Sequence, residues 1–332
     1  FSAARLDSFV YTVESLRQAW SLVKPGGLLS VSFVVRRKFI TDKLYEMMVE
    51  ATGQKPLVME DSYLYSATFV VPKDGDPAKD QASWLHMTQM LGGHTLAAPT
   101  EPEATNPSAT DDWPFLMLQN RQLSIYYAVA LVLLLLMSAV LVSRTFVLAS
   151  PAGIDWQLFW LGGGFLLIET KSMTQLGLLF GSTWVVNAIA IVGVLFMNLV
   201  AVYFIAWKPN VTLRALYTGL FTTIVVNFIV PPDAFLALPL AARLTASTLL
   251  LFCPLFFAGL IFIRSFRVAA DSPSAFGSNL LGAISGGCLE YLSIATGFRV
   301  VWLLALGLYV LSLVAVLRHT REASLNPGSA SA

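Results

Sequence analysis

The stretch from residue 165 to residue 183, FLLIETKSMTQLGLLFGST, places a carboxylate and an ammonium group inside an otherwise apolar segment. The two charged residues are Glu169 and Lys171. A charged side chain at the centre of a lipid bilayer is costly, so such residues face a bundle interior or a cavity and mark functional sites by default. The stretch therefore predicts a polar site within a membrane.

A second stretch, residues 279 to 299, reads NLLGAISGGCLEYLSIATGFR and carries Glu290 in what the pattern predicts as a glycine-rich membrane helix. Residues three and four apart share a helix face, so Lys171 groups with Gln175, whereas Glu169 points about 160° away. We expect each charge to find its partner on another helix. The predicted intramembrane polar site comprises Glu169, Lys171, Ser172, Gln175, Asn187, Asn279 and Glu290.

The polar and small residues of the apolar segments also have a purely structural interpretation. The amides of Asn187, Asn198 and Asn227 are typical of hydrogen bonds between membrane helices. Gly282, Ser285, Gly286 and Gly287 favour close helix packing over phosphate binding. For Glu169 and Glu290 the structural alternative is a buried hydrogen bond from a neutral carboxyl group.

Composition divides the chain at about residue 122. Of its 332 residues, 56% are apolar and only 12% charged, with a mean hydropathy of +0.69. Soluble domains are about a quarter charged. A span needs about 20 apolar residues, and seven segments qualify: 124–147, 157–180, 184–206, 212–230, 242–264, 277–296 and 299–318. Cys253 and Cys288 lie in apolar segments and predict no disulfide.

The orientation of these spans is ambiguous from sequence. Positive residues follow the odd-numbered spans, namely Arg144, Lys208, Arg214, Arg264, Arg267, Arg318 and Arg321. The opposite side carries Arg121, Arg243 and Arg299. The positive-inside rule would place residues 1–122 outside the cytoplasm. A cytosolic cofactor, considered below, would place them inside.

Residues 1–122 have ordinary globular composition. Apolar spacing predicts helices over 9–23 and 36–51, and β-branched runs predict strands over 28–35, 56–60 and 63–71, the last two as an antiparallel hairpin. This order indicates an α/β unit. We expect four regions: 1–91, the α/β unit; 92–122, an irregular linker; 123–320, an all-α membrane bundle of about seven helices; and 321–332, a disordered tail.

A helix followed by LVKPGGLLSVSF, then helix, strand and hairpin strand, resembles the C-terminal half of a class I S-adenosylmethionine-dependent methyltransferase fold, a Rossmann-like domain. With YTVES at 11–15, TDDWPF at 110–115 and the two polar stretches above, the chain resembles membrane-bound proteins of the spermidine synthase-like group, the polyamine aminopropyltransferases. These proteins fuse a methyltransferase-like domain to transmembrane helices. The resemblance implies a transferase in which an amine attacks a carbon next to a sulfonium.

The cofactor motif of such folds is missing from this sequence. Residues 1–122 contain no glycine-rich turn followed by an acidic ribose binder. The resemblance therefore implies that the cofactor-binding half lies upstream of Phe1, and this chain alone should not bind S-adenosylmethionine or its decarboxylated form. Candidate residues of the soluble part are Asp7, Glu14, Asp111 and Asp112. His86 and His94 stand without further ligands, so no metal is predicted.

The sequence leaves three functions open. The first is an aminopropyl- or methyltransferase-like membrane protein. The second is a transporter-like protein that binds a polyamine or another cationic small molecule at Glu169 and Glu290, and the third is a structural subunit of a larger membrane assembly. Its partners are then the lipid bilayer and possible membrane subunits, and a net charge of +1 gives no reason to expect nucleic acid. We expect a multi-pass protein of a bacterial-type inner or plasma membrane.

Overall fold

The computed structural model describes residues 7–35, 37–61, 65–73, 106–147, 153–181 and 184–325. The chain divides into a soluble unit, residues 1–122, and a helical unit, residues 123–332. The histidines at 86 and 94, and most of the predicted linker, lie outside the described residues.

The described part of the soluble unit contains two α-helices and three strands. They are α1 (Val13–Leu22), β1 (Leu28–Val34), α2 (Lys38–Thr52), β2 (Leu57–Asp61) and β3 (Ser66–Pro72). The hydroxyl of Thr12 caps α1 by accepting a hydrogen bond from the backbone N–H of Ser15. Gly53 ends α2 in the left-handed conformation, at φ 74°, which glycine adopts without strain.

The sheet has the strand order β1-β3-β2, and β3 is antiparallel to both of its neighbours. The predicted hairpin of β2 and β3 is confirmed. Strands β1 and β2 are thus parallel to each other and are joined by the crossover helix α2. Helices α1 and α2 pack with the sheet into one core, in which Leu44, Met47 and Phe69 are completely buried.

Residues 106–122 belong to the soluble unit and are more than a linker. They form no regular helix or strand, as expected, but Ala109, Trp113 and Leu116 are buried. Their proline- and threonine-rich sequence contains apolar anchors that a composition argument overlooks. The segment that precedes the first apolar helix is therefore fixed to the α/β core.

In the described part of the helical unit, seven long helices lie at the seven predicted positions. They are α3 (Ile125–Val142, continued by a π turn, Ser143–Val147), α4 (Trp156–Phe180), α5 (Trp184–Trp207), α6 (Leu213–Ile229), α7 (Leu240–Arg267), α8 (Ser272–Leu289) and α9 (Arg299–Leu325). Among the described residues, four helices are long and apolar enough to cross a membrane: Ile125–Phe146, Val186–Trp207, Leu240–Arg267 and Arg299–Arg318. These four support a membrane protein in a lipid bilayer.

The helices α4, α6 and α8 fall short of that criterion for two reasons. Helix α6 is short, with 17 residues. Helices α4 and α8 are rich in glycine and polar residues, and they pack mainly against other helices. Helix α4 contacts α5, α7, α8 and α9, so much of its surface is shielded from lipid.

Two boundaries differ from the sequence expectations. Helix α8 ends at Leu289 and does not reach residue 296, because the chain tightens into a 3-10 turn, Glu290–Leu292, followed by the single helical turn Ser293–Thr296. Helix α9 runs on to Leu325, so residues 321–325, assigned to a disordered tail, are helical. Helical periodicity continues through both places, and the sequence alone does not mark them.

Candidate functional site: a polar layer inside the helical unit

Four helices, α4, α7, α6 and α9, form a closed ring in which each contacts the next. Helices α4 and α7 run antiparallel. The side chain of Gln157 bonds Ser265 at one end, and the hydroxyl of Ser172 donates to the carbonyl of Leu251 further along. Continuing this pairing by one turn of α4 places Gln175 opposite Thr248 on α7. Residues that lie opposite each other in this way share the same position along the axis of the ring, which we call their depth.

One end of the ring is joined by an interhelical hydrogen-bond network. The Nε2 of Gln157 on α4 donates to Ser265 Oγ on α7 at 2.5 Å. Ser312 Oγ on α9 donates to the Gln157 backbone carbonyl at 3.0 Å and bonds the Tyr217 hydroxyl of α6 at 2.8 Å. All four helices of the ring meet in this network, which was not predicted because serine and tyrosine are common in apolar segments.

On the outer side of the ring, α8 packs along α4 at glycine positions. Gly282 faces the backbone carbonyl of Phe159, and Gly286 faces that of Gly163, so neither position has room for a Cβ atom. Asn279 of the predicted site lies in this interface, where its Nδ2 donates to the Leu158 carbonyl at 3.0 Å. Asn279 therefore acts as an interhelical hydrogen-bond donor, and the glycines allow close packing as expected.

The other half of the ring contains the predicted polar residues of α4. Ser172 is completely buried, and Gln175 is 7% exposed. Asn227 of α6 reaches the same depth, where its Nδ2 donates to the Leu250 carbonyl of α7 at 2.9 Å. We call Ser172, Gln175, Asn227 and Thr248 the polar layer.

Charged groups lie at or next to this depth. Lys171 Nζ is 5.2 Å from the centroid of the Phe298 ring, and the Arg299 guanidinium is 5.2 Å from that of Phe228. The start of α9 is therefore level with the polar layer. Glu169 lies half-buried near the middle of α4, and its carboxylate makes no hydrogen bond or ion pair with the residues that the structure describes.

Glu290 differs from its predicted position in the middle of a helix. It lies at the C-terminal cap of α8, half-buried, where the 3-10 turn begins. Because α8 runs parallel to α4, with Gly286 beside Gly163, the offset of these helices puts Glu290 level with residues 167–169. The two carboxylates thus share a depth. Asn187 is half-buried on α5, a helix outside the four-helix ring.

In the soluble unit, two predicted candidates meet in a structural contact. The Glu14 carboxylate of α1 accepts a hydrogen bond from the Asp111 backbone N–H at 3.0 Å, and Asp111 Oδ1 accepts one from the Thr12 hydroxyl at 2.7 Å. Both acids therefore fasten the TDDWPF segment to the start of α1. Asp112 is exposed, and Asp7 begins a 3-10 turn, Asp7–Tyr11, whose first side chain lies outside the description.

A buried lysine also binds the TDDWPF segment and the residues that follow it. Lys43 of α2 is completely buried, and its Nζ donates to the carbonyls of Phe115 and Leu118, each at 3.0 Å. Its Nζ also lies 4.4 Å from the centroid of the Trp113 ring. Burial, and to a smaller extent the charge of Arg121, lower the pKa of Lys43 from 10.5 to about 7. Spacing could have identified this residue, because Lys43 lies between Ile40 and Met47 on the apolar face of α2.

A cleft of about 520 Å³ opens at the carboxyl end of β1. It is lined by Tyr11, Ser32, Phe33, Val34, Ile40 and Met117. Ligands of α/β sheets bind outside the carboxyl ends of the strands. Among the described residues, the lining offers two hydroxyl groups, an aromatic surface and no carboxylate.

No group of three or more His, Cys, Asp or Glu within the described residues is placed to hold a metal ion. No family model, curated protein or solved structure matches the chain.

Proposed function

We propose that the chain is part of a membrane-bound, spermidine synthase-like transferase, an aminopropyl- or methyltransferase whose substrate cleft is partly built by the soluble unit. The observation that supports this proposal most is the cleft at the carboxyl end of β1. It lies in a β1-α2-β2 crossover unit, which is the building block of doubly wound nucleotide-binding folds.

The residues present do not fit S-adenosylmethionine. Among the described residues, the lining of the cleft has no glycine-rich turn and no carboxylate for a ribose. In this proposal the cofactor is bound by a segment outside these 332 residues. The role of the soluble unit is to enclose the substrate with Tyr11, Ser32 and Met117.

Binding calorimetry tests the proposal. S-adenosylmethionine and its decarboxylated form are titrated into this chain and into a version extended upstream of Phe1. We expect saturable binding to the extended protein only. We also expect weaker substrate binding to the Tyr11→Ala variant, in which the cleft loses the aromatic ring of Tyr11. Absence of binding to both proteins would reject a transferase function.

A transporter-like function is the second candidate, and Glu169 favours it. A carboxylate near the middle of a buried helix, without a partner among the described residues, is typical of substrate and ion pathways. Uptake of radiolabelled putrescine into proteoliposomes is the test, with Glu169→Gln as the variant. Uptake that is lost in the variant supports transport, whereas uptake equal to that of protein-free liposomes excludes it and favours a structural subunit.

A further inference from the structure

Four side-chain oxygen atoms in the four-helix ring are buried without a hydrogen-bond partner among the described residues. One of them, the Tyr309 hydroxyl on α9, belongs to a ring that lies beside Gly164, about three turns of α4 from Gln175. The other three belong to the polar layer. They are Gln175 Oε1 on α4, Asn227 Oδ1 on α6 and Thr248 Oγ1 on α7. Gln175 and Asn227 are only 7% and 3% exposed. Buried polar groups are nearly always paired, because an unpaired one has lost its hydrogen bonds to water and gained none in return. Three such atoms therefore indicate a ligand.

The three atoms lie at one depth of the ring. The contact between Ser172 and Leu251 fixes the register of α4 and α7 and puts Gln175 level with Thr248. The hydrogen bond from Asn227 to the Leu250 carbonyl places the α6 amide within one turn of Thr248. The polar layer thus has unpaired oxygen atoms on α4, α7 and α6, three consecutive helices of the ring.

The hydrogen bonds of Asn227 determine which of its atoms faces a ligand. Its Nδ2 donates to the carbonyls of Thr223 and Leu250, each at 2.9 Å. A rotation of the amide would point its oxygen at two carbonyl oxygens, so Oδ1 is the unpaired atom. An amide oxygen only accepts hydrogen bonds or coordinates a cation. The ligand is therefore a cation or a hydrogen-bond donor.

The surrounding charges limit the charge of that ligand. Glu169 and Glu290 share nearly the same depth, and two cations lie close to it, Lys171 on α4 and Arg299 at the start of α9. Nearby formal charges thus cancel, and the direct ligands are neutral oxygens. Divalent cations prefer sites with several carboxylates. Three neutral oxygens without a carboxylate among them therefore suit a monovalent cation.

We propose that the polar layer binds a monovalent cation, either an alkali metal ion or a primary ammonium group, through Gln175 Oε1, Asn227 Oδ1 and Thr248 Oγ1. This site belongs to the helical unit and does not rest on the transferase proposal. In this proposal the cation binds at the polar layer, and the negative charges of Glu169 and Glu290 offset the positive charges of Lys171 and Arg299.

Thermal unfolding of the full chain in detergent tests the site. Sodium, potassium or methylammonium chloride is titrated at constant ionic strength against N-methylglucamine chloride, a cation too large for a site of three side-chain oxygens. We expect one of the three cations to raise the unfolding midpoint saturably, as a ligand of the native state does. The cation that acts at the lowest concentration distinguishes an alkali metal site from an ammonium site.

Two variants remove one oxygen each. Gln175→Leu removes no hydrogen bond to another described residue, and Thr248→Val keeps the shape of the side chain. Each should raise the half-saturating cation concentration about tenfold or more, as expected for the loss of one ligand. The matched control is Asn198→Leu on α5, an amide that contacts Gly259, three turns of α7 away from Thr248; it should keep the wild-type response.

Three results would overturn the proposal. The first is a midpoint that does not depend on which cation is present. The second is a response that rises without saturation, as a general salt effect does. The third is the same half-saturating concentration in Gln175→Leu, Thr248→Val and the wild type, which would show that the cation binds at another site. A transferase that fails to bind its cofactor changes none of these readouts, so the two proposals fail separately.

Discussion

Gly282 of α8 faces the backbone carbonyl oxygen of Phe159 on α4 so closely that a Cβ atom at position 282 would overlap it. Gly286 repeats this contact against Gly163, one turn further along both helices. Small residues let membrane helices approach until their backbones touch, and the resulting van der Waals contact drives association where no hydrophobic effect acts. This contact ties α8 to α4, which in turn forms one side of the ring.

Gly282→Ala should therefore destabilise the helical unit. The added methyl group meets backbone atoms that cannot rotate away, and overpacking of this kind costs about 1–3 kcal/mol or more. Thermal unfolding of the purified chain measures the loss. Gly307→Ala on α9 is the matched control, because a Cβ at that position meets no atom within 4 Å. Equal midpoints for the two variants would contradict the backbone contact.

The network at the end of the ring predicts energetic coupling between α6 and α9. Tyr217→Phe and Ser312→Ala each remove one side of the 2.8 Å hydrogen bond. In a double-mutant cycle their interaction energy should be about 0.6 kcal/mol and at most about 1.7 kcal/mol, the range for membrane proteins. Thr174→Val is the control partner, since its hydroxyl bonds only the Thr170 carbonyl of its own helix. Tyr217→Phe and Thr174→Val should be additive within about 0.5 kcal/mol.

Lys43 predicts a pH dependence in the soluble unit. Its pKa is lowered from 10.5 to about 7 in the folded chain, so between these values the unfolded chain binds one proton more than the folded chain. Stability should rise with pH over this window, by up to about 1.4 kcal/mol per pH unit, and should be lowest below pH 7 where the buried amine is charged. Hydrogen exchange of the amides of α2 and β3, corrected for the intrinsic effect of pH, measures the rise.

Lys43→Met is the variant that isolates this effect. It keeps a long apolar side chain and cannot titrate, so the rise between pH 7 and 10.5 should disappear. Lys73→Met is the control, because Lys73 also lies over a tryptophan ring and donates to a backbone carbonyl, that of Trp20, but is only half-buried. A rise that persists in Lys43→Met would assign it to another group.

The helices of the helical unit could be predicted from sequence because apolar runs of about 20 residues have few alternatives. The strands of the soluble unit were also recognisable, since β-branched runs such as LLSVSFVV stand between glycine and proline breakers. The burial of Trp113 and Leu116 was not, because local composition does not show which irregular segment packs on a core. The end of α8 at Leu289 was missed because helical spacing continues beyond it.

For the polar layer, the sequence indicated the residues on α4 but not the residues of other helices that lie at the same depth. Helical spacing predicts that Glu169 and Lys171 point to different sides of α4. In the structure Ser172 and Gln175 of the same helix are buried. Asn227 was assigned an ordinary interhelical bond, which it makes through Nδ2, and Thr248 received no role. Which side chains share a depth depends on the register between antiparallel helices, and that register follows from packing contacts far apart in sequence.

The last prediction concerns the number of spans. Seven spans place residues 119 and 210 on opposite sides of the membrane, because only α3, α4 and α5 separate them. Four spans, limited to α3, α5, α7 and α9, place both residues on the same side. Gln119 and Asn210 are exposed, so cysteines introduced there can be labelled. Cys253 and Cys288 are first replaced by alanine to remove the native thiols.

Labelling intact cells with a membrane-impermeant maleimide decides between the two topologies. We expect seven spans, and therefore one of Gln119→Cys and Asn210→Cys to react in intact cells and the other only after lysis. The transferase proposal requires position 119 to be the protected, cytoplasmic one, where the cofactor is found. The positive residues near position 210, Lys208 and Arg214, favour the reverse orientation. Reaction of position 119 in intact cells would thus reject cofactor use from the cytosol while leaving the cation site of the helical unit in place.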